Sequence, residues 1–336
     1  MAEAAKKIEN HKNALERWRH IFADELKQTD EVIMNMTSGK AKLIPELVGH
    51  LITSGGKRLR PILTIISAKL CGYEGDRHIK LAAAIELLHT ATLLHDDVVD
   101  ESDLRRGRKT ANSIWGNEAS VLVGDFLLAC AFRLMAHDGS IRVLEMLSDT
   151  SAIITEGEIK QLMAINDIKT GEERYLDIIS DKTAQLFAAA CSVGSIVAEK
   201  SSEEEKALNK FGMNLGIAFQ IVDDALDYSA KQEELGKTVG DDFREGKLTM
   251  PVILSYQNGN KEEKHFWERT IEENIQEESD LAQAIEIISR QGVLKQTMQK
   301  AKEYAQKASF SLKDFPESQE KSALMDLAEF AVSRPY

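Results

Sequence analysis

The sequence predicts an all-α fold, and three observations carry that expectation. Only five prolines occur in 336 residues, and none lies between Ile62 and Met250, so long helices meet no interruption there. Strand-like alternation of apolar and polar residues is absent, and the Asn258-Gly259 pair separates helical patterns rather than two strands. Apolar residues gather instead into Ala/Leu-rich runs of helical length, such as LAAAIELLHTATLL at 81–94.

Composition narrows the class. With 43% hydrophobic residues and no low-complexity linker, the chain suits one extended helical core, a single domain over 1–336 with 1–28 as a peripheral N-terminal helix. A net charge of −13 argues against nucleic acid, which needs clustered cations. Cys71, Cys130 and Cys191 are odd in number and sit in apolar runs, reading as buried thiols of a reducing compartment. The N-terminus has no apolar h-region, and Thr183 to Ala198, though uncharged, is too short to span a bilayer. A soluble, cytoplasmic protein without a transmembrane segment is expected.

The elements follow in order. After the first 28 residues, a second helix over 29–53 centres on Leu43, Leu47, Val48 and Leu51, with Pro45 near its start. TSGGKRLRP at 53–61 combines two glycines, three cations and a proline that opens a helix from Ile62 to Leu70. Such a turn is either simply solvated or an anion site. The apolar helix of 81–103 follows and ends in Asp96, Asp97, Asp100, Glu101 and Asp103. LRRGRKT comes next, then helical patterns at 112–136 and 141–164, a polar break at 166–173 and a helix from Glu172 to Glu199. Lys182 and Thr183 interrupt the apolar face of that helix; a lysine there commonly snorkels. Residues 203–231 form a second apolar helix ending in Asp223, Asp224 and Asp227. A polar loop with Lys237, Asp241, Asp242, Arg244 and Lys247 and charged amphipathic helices over 262–336 complete the chain.

The two acidic helix ends carry the chemistry. Asp96 and Asp100 are i and i+4, so their carboxylates stack on one face, with His89 two turns below. Gln220, Asp223 and Asp227 share a face in the same way. Like charge at the carbonyl end of a helix is unfavourable unless a cation is supplied. A lone DDxxD is most simply a solvated helix end. Two of them, each closing an apolar helix, point to a shared pocket of six aspartates, and all-oxygen ligands suit Mg²⁺. Mg²⁺ is usually completed by substrate phosphates, which implies a phosphate-bearing substrate.

GGKRLRP at 55–61, HDDVVDESDLRRG at 95–107 and FQIVDDALD at 219–227, with KT at 182–183 and GKTVGDD at 236–242, closely resemble the polyprenyl synthetase family. Its members, the trans-isoprenyl diphosphate synthases, add isopentenyl units to an allylic diphosphate. The resemblance covers roughly residues 30 to 330. It implies an all-helical bundle around a central cavity (the isoprenoid synthase type), usually homodimeric, with the aspartate motifs facing each other across its mouth. On that pattern Asp96, Asp97 and Asp100 from one helix and Asp223, Asp224 and Asp227 from the other form the metal set, about three Mg²⁺ ions with the allylic diphosphate bound. Arg105 contacts the allylic diphosphate and Lys237 is a further diphosphate contact, while Lys57, Arg60, His89 and Arg106 hold isopentenyl diphosphate. Lys182, Thr183 and Gln220 lie near the developing cation.

Relatives that make short products tend to carry bulky aromatics four or five residues before the first aspartate. Here those positions are Thr92 and Ala91, both small, and Leu88 lies ~12 Å below Asp96 at the helical rise, so a product of about C30–C50 is expected, suited to a quinone side chain and to hand-over to a membrane enzyme. Phe126 or Phe132 is a candidate floor, ordinary core packing being the alternative. Three other readings are a short-chain farnesyl or geranylgeranyl synthase, a class I terpene cyclase, and a non-catalytic subunit of a heteromeric synthase. The second aspartate triplet and the basic 55–60 loop argue against the cyclase, and the complete aspartate motifs against the subunit.

Overall fold

The computed structural model describes residues 14–38, 41–53, 56–105, 107–229 and 239–333, and the fold is all-α. Helix α1 (residues 14–21) leads into α2 (Ala23–Thr37), and α3 (Leu43–Thr53) forms a separate helix. The described part of the N-terminal segment packs one face on the core and exposes the other. Leu15, Trp18 and Phe22 are buried, because apolar residues three and four apart give the helix one apolar stripe to dock. Arg17 pairs with Asp326 of the C-terminal helix, and Trp18 Nε1 donates to the same carboxylate at 3.0 Å.

Next come α4 (Leu59–Leu70), closed by Cys71 and by Gly72 in the left-handed region, and α5 (Arg77–Val99). Helix α5 is buried all round from Leu81 to Leu88 because α2, α4 and α7 (Asn117–Asp138) cover it. A ribbon of β1 (Leu104–Arg105) and β2 (Arg108–Lys109) is the single exception to the strand-free expectation among the described residues. It turns at Gly107 (φ +73°), folding the arginine segment back toward the end of α5, and leads into α6 (Ala111–Trp115).

Helix α8 (Ile141–Leu162) precedes α9 (Glu172–Ile179), a π-helical turn at Ser180–Ala184 and α10 (Gln185–Val197). Helix α10 is buried along its whole length between α4 and α11 (Ser202–Asp227). Beyond α11 lie α12 (Asp241–Arg244), α13 (Met250–Asn258), α14 (Lys261–Trp267), a second π-turn at Glu268–Glu272, α15 (Asp280–Arg290), α16 (Val293–Ser311) and α17 (Gln319–Val332). Helix α16 packs along α11.

The expectation that no apolar stretch reaches membrane-spanning length is corrected by α7, which by length and composition alone could cross a bilayer. It packs along α5, where Val123, Leu127, Cys130, Ala131 and Leu134 are buried.

Candidate active site

Helices α5 and α11 both end at one cavity of about 760 Å³. The shared helical faces read from spacing are present. Asp96, Asp100 and His89 line the cavity from α5, and Gln220, Asp223 and Asp227 line it from α11. Asp97, Lys57, Arg60, Arg105, Lys182 and Thr183 complete the predicted residues on its wall. Arg106 and Lys237 lie outside the described residues.

The two remaining aspartates sit differently. Asp97 is 1% exposed and accepts from Arg105 Nε and Nη2, each at 2.8 Å, so it anchors the ribbon's arginine at the rim. Asp224 is 3% exposed and absent from the cavity wall. Its Oδ2 accepts from the Tyr175 hydroxyl at 2.5 Å and its Oδ1 from Gln220 Nε2 at 2.7 Å, beside a rear pocket of about 120 Å³. Neighbouring helix positions point about 100° apart, so when Asp223 faces the cavity, Asp224 turns inward.

Asp227 is held by backbone. Gly240 (φ +79°) opens α12, and the amides of Gly240, Asp241 and Asp242 donate to the carboxylate at 3.2, 3.3 and 3.1 Å. The π-turn sets Lys182 and Thr183 on the wall together, as the extra residue in the turn re-aims consecutive side chains. Lys182 Nζ donates to Glu158 Oε2 at 2.7 Å and Gln161 Oε1 at 2.6 Å, so it is a fixed cation rather than a snorkelling one. Thr183 Oγ1 donates to Gln220 Oε1 at 3.0 Å. Gly157 lets α8 approach this turn, since a Cβ there would lie 2.5 Å from the Lys182 amide nitrogen.

On the opposite side, the basic loop rests on aromatic faces. Lys57 Nζ lies 5.3 Å from the Phe219 ring centre and 5.7 Å from Phe330, and the Arg60 guanidinium lies 4.4 Å over Phe187. Between them, Arg58 takes a left-handed conformation (φ +51°) and turns to Glu86 at 2.6 Å and Asp30 at 2.9 Å. That reversal leaves Lys57 and Arg60 beside the cavity.

Sequence reasoning assigned no role to Glu158, Gln161, Tyr175 or Glu86, because a polar residue on a helix carries no sign of what it faces. It placed Lys247 in a polar loop without function, yet Lys247 Nζ reaches Asp100 Oδ2. For the tunnel, Thr92 lines the cavity as expected, but Ala91 is 2% exposed and off the wall. Phe126 and Phe132 pack against the core and do not line the cavity either.

The electrostatics show excess negative charge. Burial and the charge of Glu158 push Asp96 up to about 7, Lys182 offsetting part. Burial raises Asp227 to about 6 against its three backbone donors, and Asp224 to about 7 against Tyr175 and Gln220. These carboxylates resist ionising together without a counter-ion, so hard divalent cations fit the donor set. Among the described residues no three His, Cys, Asp or Glu side chains form a ready-made metal cage.

Comparison with known proteins agrees. The chain is 43% identical over 320 residues to the octaprenyl diphosphate synthase of Escherichia coli (strain K12), covering 95% of this chain and 99% of that one. The crystal structure of a decaprenyl diphosphate synthase from Rhodobacter capsulatus superposes with a TM-score of 0.91 at 46% identity, covering 95% and 98% of the two chains. A polyprenyl synthase from Caulobacter crescentus CB15, complexed with calcium and isoprenyl diphosphate, gives 0.92 at 46%, also over 95% and 98%. The polyprenyl synthetase family model matches residues 41–288, which include the basic loop and both acidic helix ends, and the chain belongs to that family.

Proposed function

We propose that this chain is a Mg²⁺-dependent prenyltransferase that condenses isopentenyl diphosphate repeatedly onto an allylic diphosphate, giving an all-trans polyprenyl diphosphate of about C30–C50 for a quinone side chain or similar lipid. The observation that carries this reading is the convergence of both acidic helix ends and the basic loop on one cavity. Near full-length similarity to octaprenyl and decaprenyl synthases and the small Thr92 on the wall support the long product.

Asp96, Asp100, Asp223 and Asp227 are the residues that would hold Mg²⁺. When bound, the metal neutralises the charge that develops on the departing allylic diphosphate. Arg105, fixed by Asp97, and Lys182, fixed by Glu158 and Gln161, present cations to the same diphosphate. Gln220 Oε1 and Thr183 Oγ1 offer oxygen dipoles to the allylic carbocation. Lys57, Arg60 and His89 orient isopentenyl diphosphate so that its double bond faces that cation, and orientation supplies much of the rate. The released diphosphate takes the final proton.

The enzyme works as one domain in the cytoplasm and as a homodimer. Leu122 on α7 and Ile141 and Met163 at the two ends of α8 are exposed apolar residues of the kind a second copy covers. Incubation with labelled isopentenyl diphosphate, farnesyl diphosphate and Mg²⁺, followed by chromatography of dephosphorylated products, tests the proposal. A C15 or C20 end product would defeat the length assignment, and no incorporation would defeat the function.

A further inference from the structure

The second acidic motif places two adjacent carboxylates in opposite surroundings. Asp223 lines the catalytic cavity, whereas Asp224 lines only the rear pocket behind it. Both oxygens of Asp224 are engaged, one by Tyr175 from α9 and one by Gln220 from its own helix. The Gln220 amide turns its NH₂ toward Asp224, Nε2 donating to Oδ1 at 2.7 Å. That leaves Oε1 on the side of Thr183, whose hydroxyl donates to it at 3.0 Å. The reverse amide would set two oxygens against each other at Asp224 and present N–H groups to the cavity.

We propose that Asp224 is a positioning residue and not a metal ligand: held by Tyr175, it fixes the Gln220 amide with its oxygen toward the reacting cation. This rests on the prenyl-transfer reading of the same cavity and extends it to two residues outside the wall. A dipole set before the reaction needs no reorganisation as charge develops. Loss of Asp224 frees the amide to rotate and removes that advantage without removing a metal ligand.

Two measurements on the full-length enzyme test this. In calorimetric titration with Mg²⁺ and inorganic diphosphate, Asp224→Asn and Tyr175→Phe are expected to bind within about twofold of the parent, while Asp223→Asn binds about tenfold or more weakly. In the first condensation, Asp224→Asn lowers kcat about 10–100-fold, and Tyr175→Phe less, with unchanged KM for isopentenyl diphosphate. Neither has a further effect in a Gln220→Ala background, because residues acting through one group are not additive. Weakened metal-diphosphate binding by Asp224→Asn, or effects that multiply with Gln220→Ala, would overturn the proposal. Should Asp224→Asn not fold, Tyr175→Phe leaves the carboxylate in place and carries both readings. A parent that binds metal-diphosphate but transfers no prenyl group would sink the functional reading instead, and the titration would still report on Asp224.

Discussion

Lys247 Nζ lies 3.2 Å from Asp100 Oδ2, so a cation that follows the second acidic helix is held against the end of the first. Glu245 shares it. Burial works against its charge, yet Asp100, Asp242 and Glu245 together hold the ammonium above its usual range. In the metal-free protein this lysine is the clamp between the two walls.

Removing that clamp leaves Asp100 without its partner. Lys247→Met is expected to destabilise the metal-free protein by about 1–3 kcal/mol, the penalty for stranding a partly buried charge. Mg²⁺ with inorganic diphosphate should restore most of the loss. Thermal melts with and without those ligands check this, and an unchanged metal-free melt would show that Asp100 needs no lysine.

Asp96 and Asp227 set a pH dependence. Their carboxyls are raised to about 7 and about 6, mainly by burial, while the unfolded chain titrates near its ordinary value of about 4. Between about pH 4 and 7 the native state holds protons that the unfolded state has released, so their contribution to stability falls as pH rises. Metal-free Asp96→Asn should therefore melt above the parent at pH 8, with the gap closing toward pH 5. Its prenyl transfer should drop at least about 10²-fold. A gap that widens at low pH would reverse the sign and refute the assignment.

Product length separates two neighbouring positions. Thr92 lines the cavity, so Thr92→Phe is expected to shorten the chain with little change in stability. Ala91 is packed in the core, so Ala91→Phe should destabilise by about 1–3 kcal/mol and leave the product distribution of any folded enzyme alone. Chromatography of both variants' products decides between them. Shortening by Ala91→Phe alone would place the tunnel on the other side of α5.

Gly157 tests the π-turn. An alanine Cβ there would meet the Lys182 nitrogen at 2.5 Å and the Asp181 carbonyl carbon at 2.9 Å, backbone atoms that cannot rotate away. Gly157→Ala should push α8 outward, break the Lys182–Glu158 pair and lower kcat more than it raises the KM for isopentenyl diphosphate. Steady-state kinetics with each substrate varied would expose the opposite pattern.

Helical spacing alone located much of this site. Asp96 with Asp100, and Gln220 with Asp223 and Asp227, share faces because 3.6 residues per turn dictates it, and all five meet at the cavity. The inward turn of Asp224 follows from the same geometry, but a motif read as a block of acids conceals it. Glu158, Gln161 and Tyr175 were not legible, because a polar residue on an amphipathic helix looks the same whether it meets water or a lysine from another helix. The π-turn was hidden too, since no residue type marks one. Lys247 illustrates the general limit: a loop cation acquires meaning only when the fold shows which carboxylate it reaches.

Phe330, on the last helix, lies under Lys57 of the basic loop, and the same helix carries the Asp326 that grips Arg17 and Trp18. During synthesis on the ribosome, the contact between Lys57 and the last helix therefore forms only after residue 330 has been made. A nascent chain that already carries both acidic helix ends holds one of the two rings beside that lysine, Phe219, and still lacks the other.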